Sequence, residues 1–378
     1  MQFTFSDEQE EFRLIVRRFM EAKSPSTEVR KLMETDQGYD KAVWQQLSQE
    51  LGLPGIHIPE AYGGQGFSFI ELCIVLEEMG RALFCAPYFS TTALAATAII
   101  QAGSEEQKHA LLPDIASGQV LATLAITEAS GSWELGSTEL TATHVDNGYE
   151  LNGAKSFVVD GHIADLLIVV ARTPGTSGAF GLSLFTLPGH GNGVKRRLLQ
   201  TLDPTRKLAL IEFNHAPATL LGELSGAGTT LPHILDLAAV ALASEMVGGA
   251  QNMLHSAVEY AQLRMQFGRL IGSFQAIKHK CADMLLEVEL AKSTAYYAAA
   301  AAADNTADLP AVASLSKACA SDTYMKAAAE CIQIHGGIGF TWENDTHLYF
   351  KRAKSSEVLL GDPNYHRDQL VLRWEDQA

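Results

Sequence analysis

Two glycine- and glutamine-bearing clusters, about seventy residues apart in the last third of the chain, limit what it can fold into. The first reads Arg264-Met265-Gln266-Phe267-Gly268 and continues to Phe274-Gln275. The second reads Gln333-Ile334-His335-Gly336-Gly337-Ile338-Gly339-Phe340. Each combines groups that can bind a phosphate or an amide-rich ring with glycines that let backbone approach a flat ligand. The segment between them is mostly helical. A helical domain that repeats this combination is a candidate dinucleotide holder. The chain has no strand–G-x-G-x-x-G–helix unit, which argues against a nicotinamide fold.

Periodicity divides the 378 residues into three stretches, as expected for a chain too long for one core. Residues 1–120 read as helix. Ser6 with Gln9 and Ser104 with Gln107 make capping boxes, and Phe12, Ile15, Val16 and Phe19 follow the first at helical spacing. Trp44, Leu47 and Leu51 mark another apolar face. Ser68 is placed to cap a helix over Phe69–Arg81 after the glycine-rich loop 59–66, and a further helix is expected over 91–102. Residues 121–227 carry β-rich runs at 121–127, 139–145, 149–152, 156–159, 166–171, 181–187 and 208–213, separated by Asp-Asn-Gly, Asn-Gly, Thr-Pro-Gly and Pro-Gly turn signals. No helix of crossover length intervenes, so an antiparallel sheet is expected. Residues 228–378 are helical again, with one long helix over 231–264. A buried stripe of Ile277, Cys281, Met284, Val288, Ala291 and Ala295 marks the next helix, and Pro310 opens the one after the loop 304–309. The fold class is α+β: an all-helical N-terminal domain, an antiparallel β middle domain and a C-terminal four-helix bundle.

Charge narrows the function. Forty-four acidic residues against 28 basic ones give −16, which argues against nucleic acid and anionic membranes as partners. An apolar content of 47% supports a large core, and no run is expected to cross a membrane, since Asp236 and Glu245 interrupt the most apolar helix. Asp7, Glu8, Glu10 and Glu11 interrupt any N-terminal targeting pattern. Five scattered cysteines without C-x-x-C or zinc-type spacing read as reduced core residues, so no metal and a cytoplasmic location are expected.

The chain resembles the acyl-CoA dehydrogenase family over nearly its whole length. The strongest stretch is 260–339, where R-x-Q-F-G, F-Q and Q-x-x-G-G-x-G stand in order. The Pro59-Glu60…Gly63-Gly64-Gln65-Gly66 loop, Thr127-Glu128 and Asn152-Gly153-Ala154-Lys155 also match the family's landmarks. The resemblance implies FAD between sheet and bundle, an acyl-CoA substrate and an electron-transfer flavoprotein as acceptor. It also implies a homo-oligomer or a heterotetramer with a related subunit, with the FAD's adenosine end reaching a neighbour. In those roles Arg264 suits the pyrophosphate, because its guanidinium fork matches phosphate oxygens. Gln266, Phe267 and Gln275 stand beside it. Gln333, Gly336 and Gly337 approach the pyrophosphate or adenosine, unless the glycines only cap a helix. Thr127 serves the flavin's pyrimidine edge. Phe157 is either a flavin contact or ordinary core. His335 is given no chemistry, and Gly248 with Gly249 reads as close helix packing.

The family's reaction, α,β-desaturation of the thioester, needs a carboxylate base in a dry pocket. Many members carry a glutamate before a glycine after the last long helix. Here Leu360 precedes Gly361, and the alternative position on the first bundle helix is Ala238. Three explanations stay open. Asp362 or Glu245 serves as the base, with Glu245 read more readily as a structural buried carboxylate or one at a subunit contact; a different subunit supplies the base; or the fold runs another flavin reaction, as an oxidase or monooxygenase. Trp133, in the loop after Thr127-Glu128, and Val159, two residues after Phe157, also depart from the pattern.

Overall fold

The computed structural model describes residues 5–146 and 148–375, so Asn147 of the expected Asp-Asn-Gly turn lies outside the described residues. The helices before the sheet are α1 (Asp7–Lys23), α2 (Ser26–Met33), α3 (Lys41–Gln49), α4 (Phe69–Arg81), α5 (Thr97–Ala102) and α6 (Glu105–Ala116). The sheet strands are β1 (Ala122–Ala125), β2 (Thr141–Val145), β3 (Gly148–Val159), β4 (Leu166–Arg172), β5 (Leu182–Pro188), β6 (Val194–Leu198) and β7 (Leu208–Leu221). Then come α7 (Ala227–Leu263), the short strands β8 (Met265–Gln266) and β9 (Arg269–Leu270), α8 (Gln275–Asp304), α9 (Leu309–His335), α10 (Thr346–Val358) and α11 (Pro363–Glu375).

Local chemistry explains most boundaries. Ser6 and Ser104 both form complete capping boxes, with Gln9 and Gln107. Asp40 accepts from the amides of Ala42 and Val43 to start α3. Pro310 lies in the first turn of α9, where its missing N–H costs nothing. The helix expected over 91–102 starts earlier, as a wide π-type helix over Phe89–Ala96 that runs into α5.

The chain packs as two compact units. One comprises 1–31, 69–84 and 239–378; the other comprises 32–68 and 85–238. In the first unit α4 crosses α7 with backbone nearly touching backbone. A Cβ on Gly248 would fall 1.8 Å from the Glu77 carbonyl oxygen, and one on Gly80 would fall 1.9 Å from that of Glu245. Gly249 lies against the Tyr324 ring at 2.4 Å by the same measure, so the glycine pair serves packing. On α8, Met284, Val288, Ala291 and Ala295 are buried as expected. Helix α7, with 37 residues, is long and apolar enough to cross a membrane, contrary to the reading of its sequence, because two acids do not break so long a run. Most of its apolar stretch, 83%, is buried inside the protein, which is the position of a core helix.

In the second unit the sheet runs in the order β1-β4-β2-β3-β7-β5, with β5 also pairing β4 and β6 pairing β7. Most pairs are antiparallel, but β1 and β2 both run parallel to β4, with Ala122 opposite Leu166 and Thr141 opposite Arg172. A parallel neighbour needs a crossover, and between β1 and β4 the β2–β3 hairpin supplies it instead of a helix. Strand β6 (Val-Lys-Arg-Arg-Leu) gave no sequence signal, since an edge strand protected by charge does not alternate apolar and polar residues. Leu151, Val169, Phe185 and Ile211 form part of the sheet's core.

Candidate functional site

The second unit builds one group of the expected residues around the end of β1. Thr127 is buried and exchanges two hydrogen bonds with Ser156: its Oγ1 donates to the Ser156 carbonyl at 2.7 Å, and its own carbonyl accepts from the Ser156 amide at 2.9 Å. The neighbouring landmarks meet directly. Lys155, with no exposed surface, donates to Glu128 at 2.8 Å and to the Ile126 carbonyl at 2.7 Å. Glu128 also accepts from the amides of Glu139 and Leu140, both at 2.9 Å. Burial pulls the Lys155 ammonium down to about 8 even though Glu128 opposes it. Burial would raise the Glu128 carboxyl, but Lys155 and the two amides outweigh it and hold it below the ordinary value. The staple fixes β3 against the end of β1. The next residue out is Phe157, at φ +60° and 44% exposed, so it is not core. The loop carrying Trp133 is tied by Arg172, which donates to the carbonyls of Thr138 at 2.8 Å and Gly136 at 3.3 Å.

The other unit builds the second group. After α7 the segment R-x-Q-F-G turns into a two-stranded hairpin, with Gln266 opposite Arg269. Its two turn residues, Phe267 and Gly268, take φ +54° and +75°, the signature of a type I′ turn. Gly268 suits that turn; Phe267 does so at a cost and ends 91% exposed. Arg264 is exposed, and its guanidinium has no partner among the described residues. Gln266 and Gln275 are exposed as well, Gln275 as the first residue of α8. At the second cluster Gly336 does cap α9: its amide donates to the carbonyls of Ile332 and Gln333 at φ +63°. Yet a Cβ on Gly336 or Gly337 would meet nothing within 4 Å, so packing does not explain the pair. Gln333 beside them is exposed.

His335 joins the two clusters. Its ring stacks on Tyr260, with centroids 4.2 Å apart and planes at 18°. Its Nδ1 bonds the Cys331 carbonyl at 2.8 Å, and burial lowers its pKa. Tyr260 lies one turn before Arg264, whose amide bonds the Tyr260 carbonyl at 2.9 Å. The stack therefore sets the end of α7, with Arg264, beside the end of α9, with Gly336. His335 acts in packing here.

The carboxylates considered as a base are engaged elsewhere. Glu245 is ion-paired with Arg352 at 2.8 Å, the two side chains 7% and 5% exposed. A carboxylate already committed to a buried guanidinium supports the structural reading of Glu245. Asp362 stands in water and caps α11, its Oδ1 accepting from the Tyr365 amide at 2.8 Å. Leu360 and Ala238 are both buried.

The N-terminal, middle and C-terminal domain models of acyl-CoA dehydrogenase match residues 6–119, 123–215 and 226–373. The chain belongs to the acyl-CoA dehydrogenase family, a family of FAD-dependent oxidoreductases. Among its relatives is acyl-CoA dehydrogenase IpdE2 of Mycobacterium tuberculosis, 35% identical over 335 residues that cover 89% of this chain and 87% of that protein. Its fold matches butyryl-CoA dehydrogenase from Megasphaera elsdenii with a TM-score of 0.90 at 28% identity, covering 98% of each chain. It also matches a chain of the ChsE4–ChsE5 complex from Mycobacterium tuberculosis with a TM-score of 0.89 at 26% identity, covering 100% of this chain and 99% of that one.

Proposed function

We propose that this chain binds FAD and takes part in the α,β-desaturation of an acyl-CoA thioester, in an assembly whose second, related chain supplies the proton-abstracting carboxylate. One observation carries the second half of the reading: Leu360 stands where the base is expected, while Glu245 is bound to Arg352 and Asp362 caps a helix in water. The ChsE4–ChsE5 neighbour is a complex of two named chains, which favours the same arrangement here.

The residues fit the cofactor. An exposed guanidinium with no partner among the described residues, an exposed aromatic on a left-handed turn and two glycines whose Cβ positions meet nothing within 4 Å are groups suited to a pyrophosphate and its flat neighbours. FAD, when bound, supplies the hydride acceptor at flavin N5. Arg264 neutralises phosphate charge, Gly336 and Gly337 admit it close to backbone, and the Thr127–Ser156 exchange holds a rigid polar edge beside the exposed Phe157. An electron-transfer flavoprotein is the acceptor that fits this chemistry.

Flavin uptake tests the reading. Gly337→Ala adds a methyl group into space that is empty in the folded chain, so its melting temperature should stay unchanged while flavin retention falls. Arg264→Ala should weaken FAD by roughly ten- to a hundredfold, the value of a charge-assisted bond. A chain that stays colourless after saturation with FAD would remove the proposal.

A further inference from the structure

Leu360 adopts φ +63°, a region that leucine avoids because its Cβ crowds the following carbonyl. The turn is held there from both sides. The Leu360 carbonyl accepts from His366 Nε2 at 2.9 Å, and the next carbonyl, that of Gly361, accepts from Lys317 Nζ at 3.0 Å. Lys317 has no exposed surface, and its ammonium also reaches the Glu357 carbonyl at 3.2 Å and Ser321 Oγ at 3.1 Å. His366 is 5% exposed; burial first, then the nearby Lys317, pulls its imidazole down to about 3 and keeps it neutral. A carbonyl can only accept, so the proton sits on Nε2. Gly361 lies at φ +102°, where a Cβ would come within 2.3 Å of the Tyr365 ring. The turn therefore presents one side chain, and it is Leu360, itself 5% exposed.

Both devices are costly. A left-handed leucine is strained, and an ammonium taken wholly out of water must be repaid by its bonds. Strain that the surroundings over-determine in this way marks a position whose direction matters.

We propose that Lys317 and His366 are positioning residues: by clamping two successive carbonyls they fix Leu360 as an apolar wall of the acyl site. The inference rests on the functional reading above. It assigns the turn to substrate fit and gives proton transfer to another chain.

The test uses the FAD-loaded full-length chain, His366→Ala, His366→Gln (which keeps an N–H donor) and Leu360→Gly. Amide exchange at 359–362 and titration of the flavin spectrum with butyryl-, octanoyl- and palmitoyl-CoA are read on each. His366→Ala should speed exchange in that window alone and raise the dissociation constant of the best-binding thioester about tenfold, one lost hydrogen bond's worth, while leaving FAD content intact. His366→Gln should restore both. Leu360→Gly, which removes the strain together with the wall, should weaken the thioester without faster exchange. Unchanged thioester affinity in His366→Ala or in Leu360→Gly would overturn the inference alone. A wild-type chain that holds FAD but responds to none of the three thioesters would overturn the functional reading, and this inference with it.

Discussion

Replacing Glu245 with glutamine separates a structural carboxylate from a catalytic one. In the folded chain its oxygen lies 2.8 Å from an Arg352 nitrogen, and both side chains are almost wholly excluded from water at 7% and 5% exposure. Glu245→Gln keeps the shape and one acceptor but leaves the guanidinium with no charge opposite it from this residue. Breaking a buried pair from one side costs about 3–5 kcal/mol, and the retained amide oxygen puts this variant near the lower end, at about 3 kcal/mol. For a chain of this size that corresponds to a fall in melting temperature of roughly 4 °C. Differential scanning calorimetry on the FAD-loaded chain measures it. Exchanging both partners, Glu245→Leu with Arg352→Met, should recover most of the loss, because a well-packed apolar pair often equals a buried ion pair. A Glu245→Gln chain that melts at the wild-type temperature yet abolishes substrate-dependent flavin bleaching of the assembly would refute this reasoning and make Glu245 the base.

Other perturbations follow from the same geometry. Asp362→Ala should cost about 1 kcal/mol by uncapping α11, whereas Asp362→Asn, a good cap, should cost a few tenths in urea unfolding, and neither should change flavin reduction by the assembly. Gly248→Ala drives a Cβ to within 1.8 Å of the Glu77 carbonyl oxygen, so α4 and α7 must part; overpacking of this kind costs about 1–3 kcal/mol and should appear as a lower urea midpoint. His366 titrates near 3 in the folded chain against an ordinary value of 6.5, so the unfolded chain binds its proton first as pH falls. Its contribution is thus complete above about pH 6.5 and is lost progressively towards pH 3; between pH 7 and pH 5 it amounts to about 2 kcal/mol, and His366→Gln should flatten that limb of the stability curve.

Local signals survived folding well. Ser6, Ser104 and Pro310 declared their helix starts because caps and fixed φ act within a few residues of chain. The two glycine clusters were legible for the same reason, although nothing in R-x-Q-F-G announced that Phe267 would share a left-handed turn with Gly268. What sequence did not disclose is partnership across distance. Glu128 and Lys155 were separate landmarks until the sheet brought them together, and Glu245 stayed ambiguous until Arg352 appeared 107 residues away. Strand β6 hid behind its charges, and the parallel seat of β1 depended on a hairpin serving as a crossover. The burial of Lys317 was not legible, since a lysine gives no local sign that it will lie beneath a turn.

Anaerobic titration with acyl-CoA tests most directly where the base resides. The account predicts a yellow chain whose spectrum shifts with a thioester but whose flavin is reduced only once the related second chain is present. Complete flavin reduction by the homogeneous chain alone would contradict it.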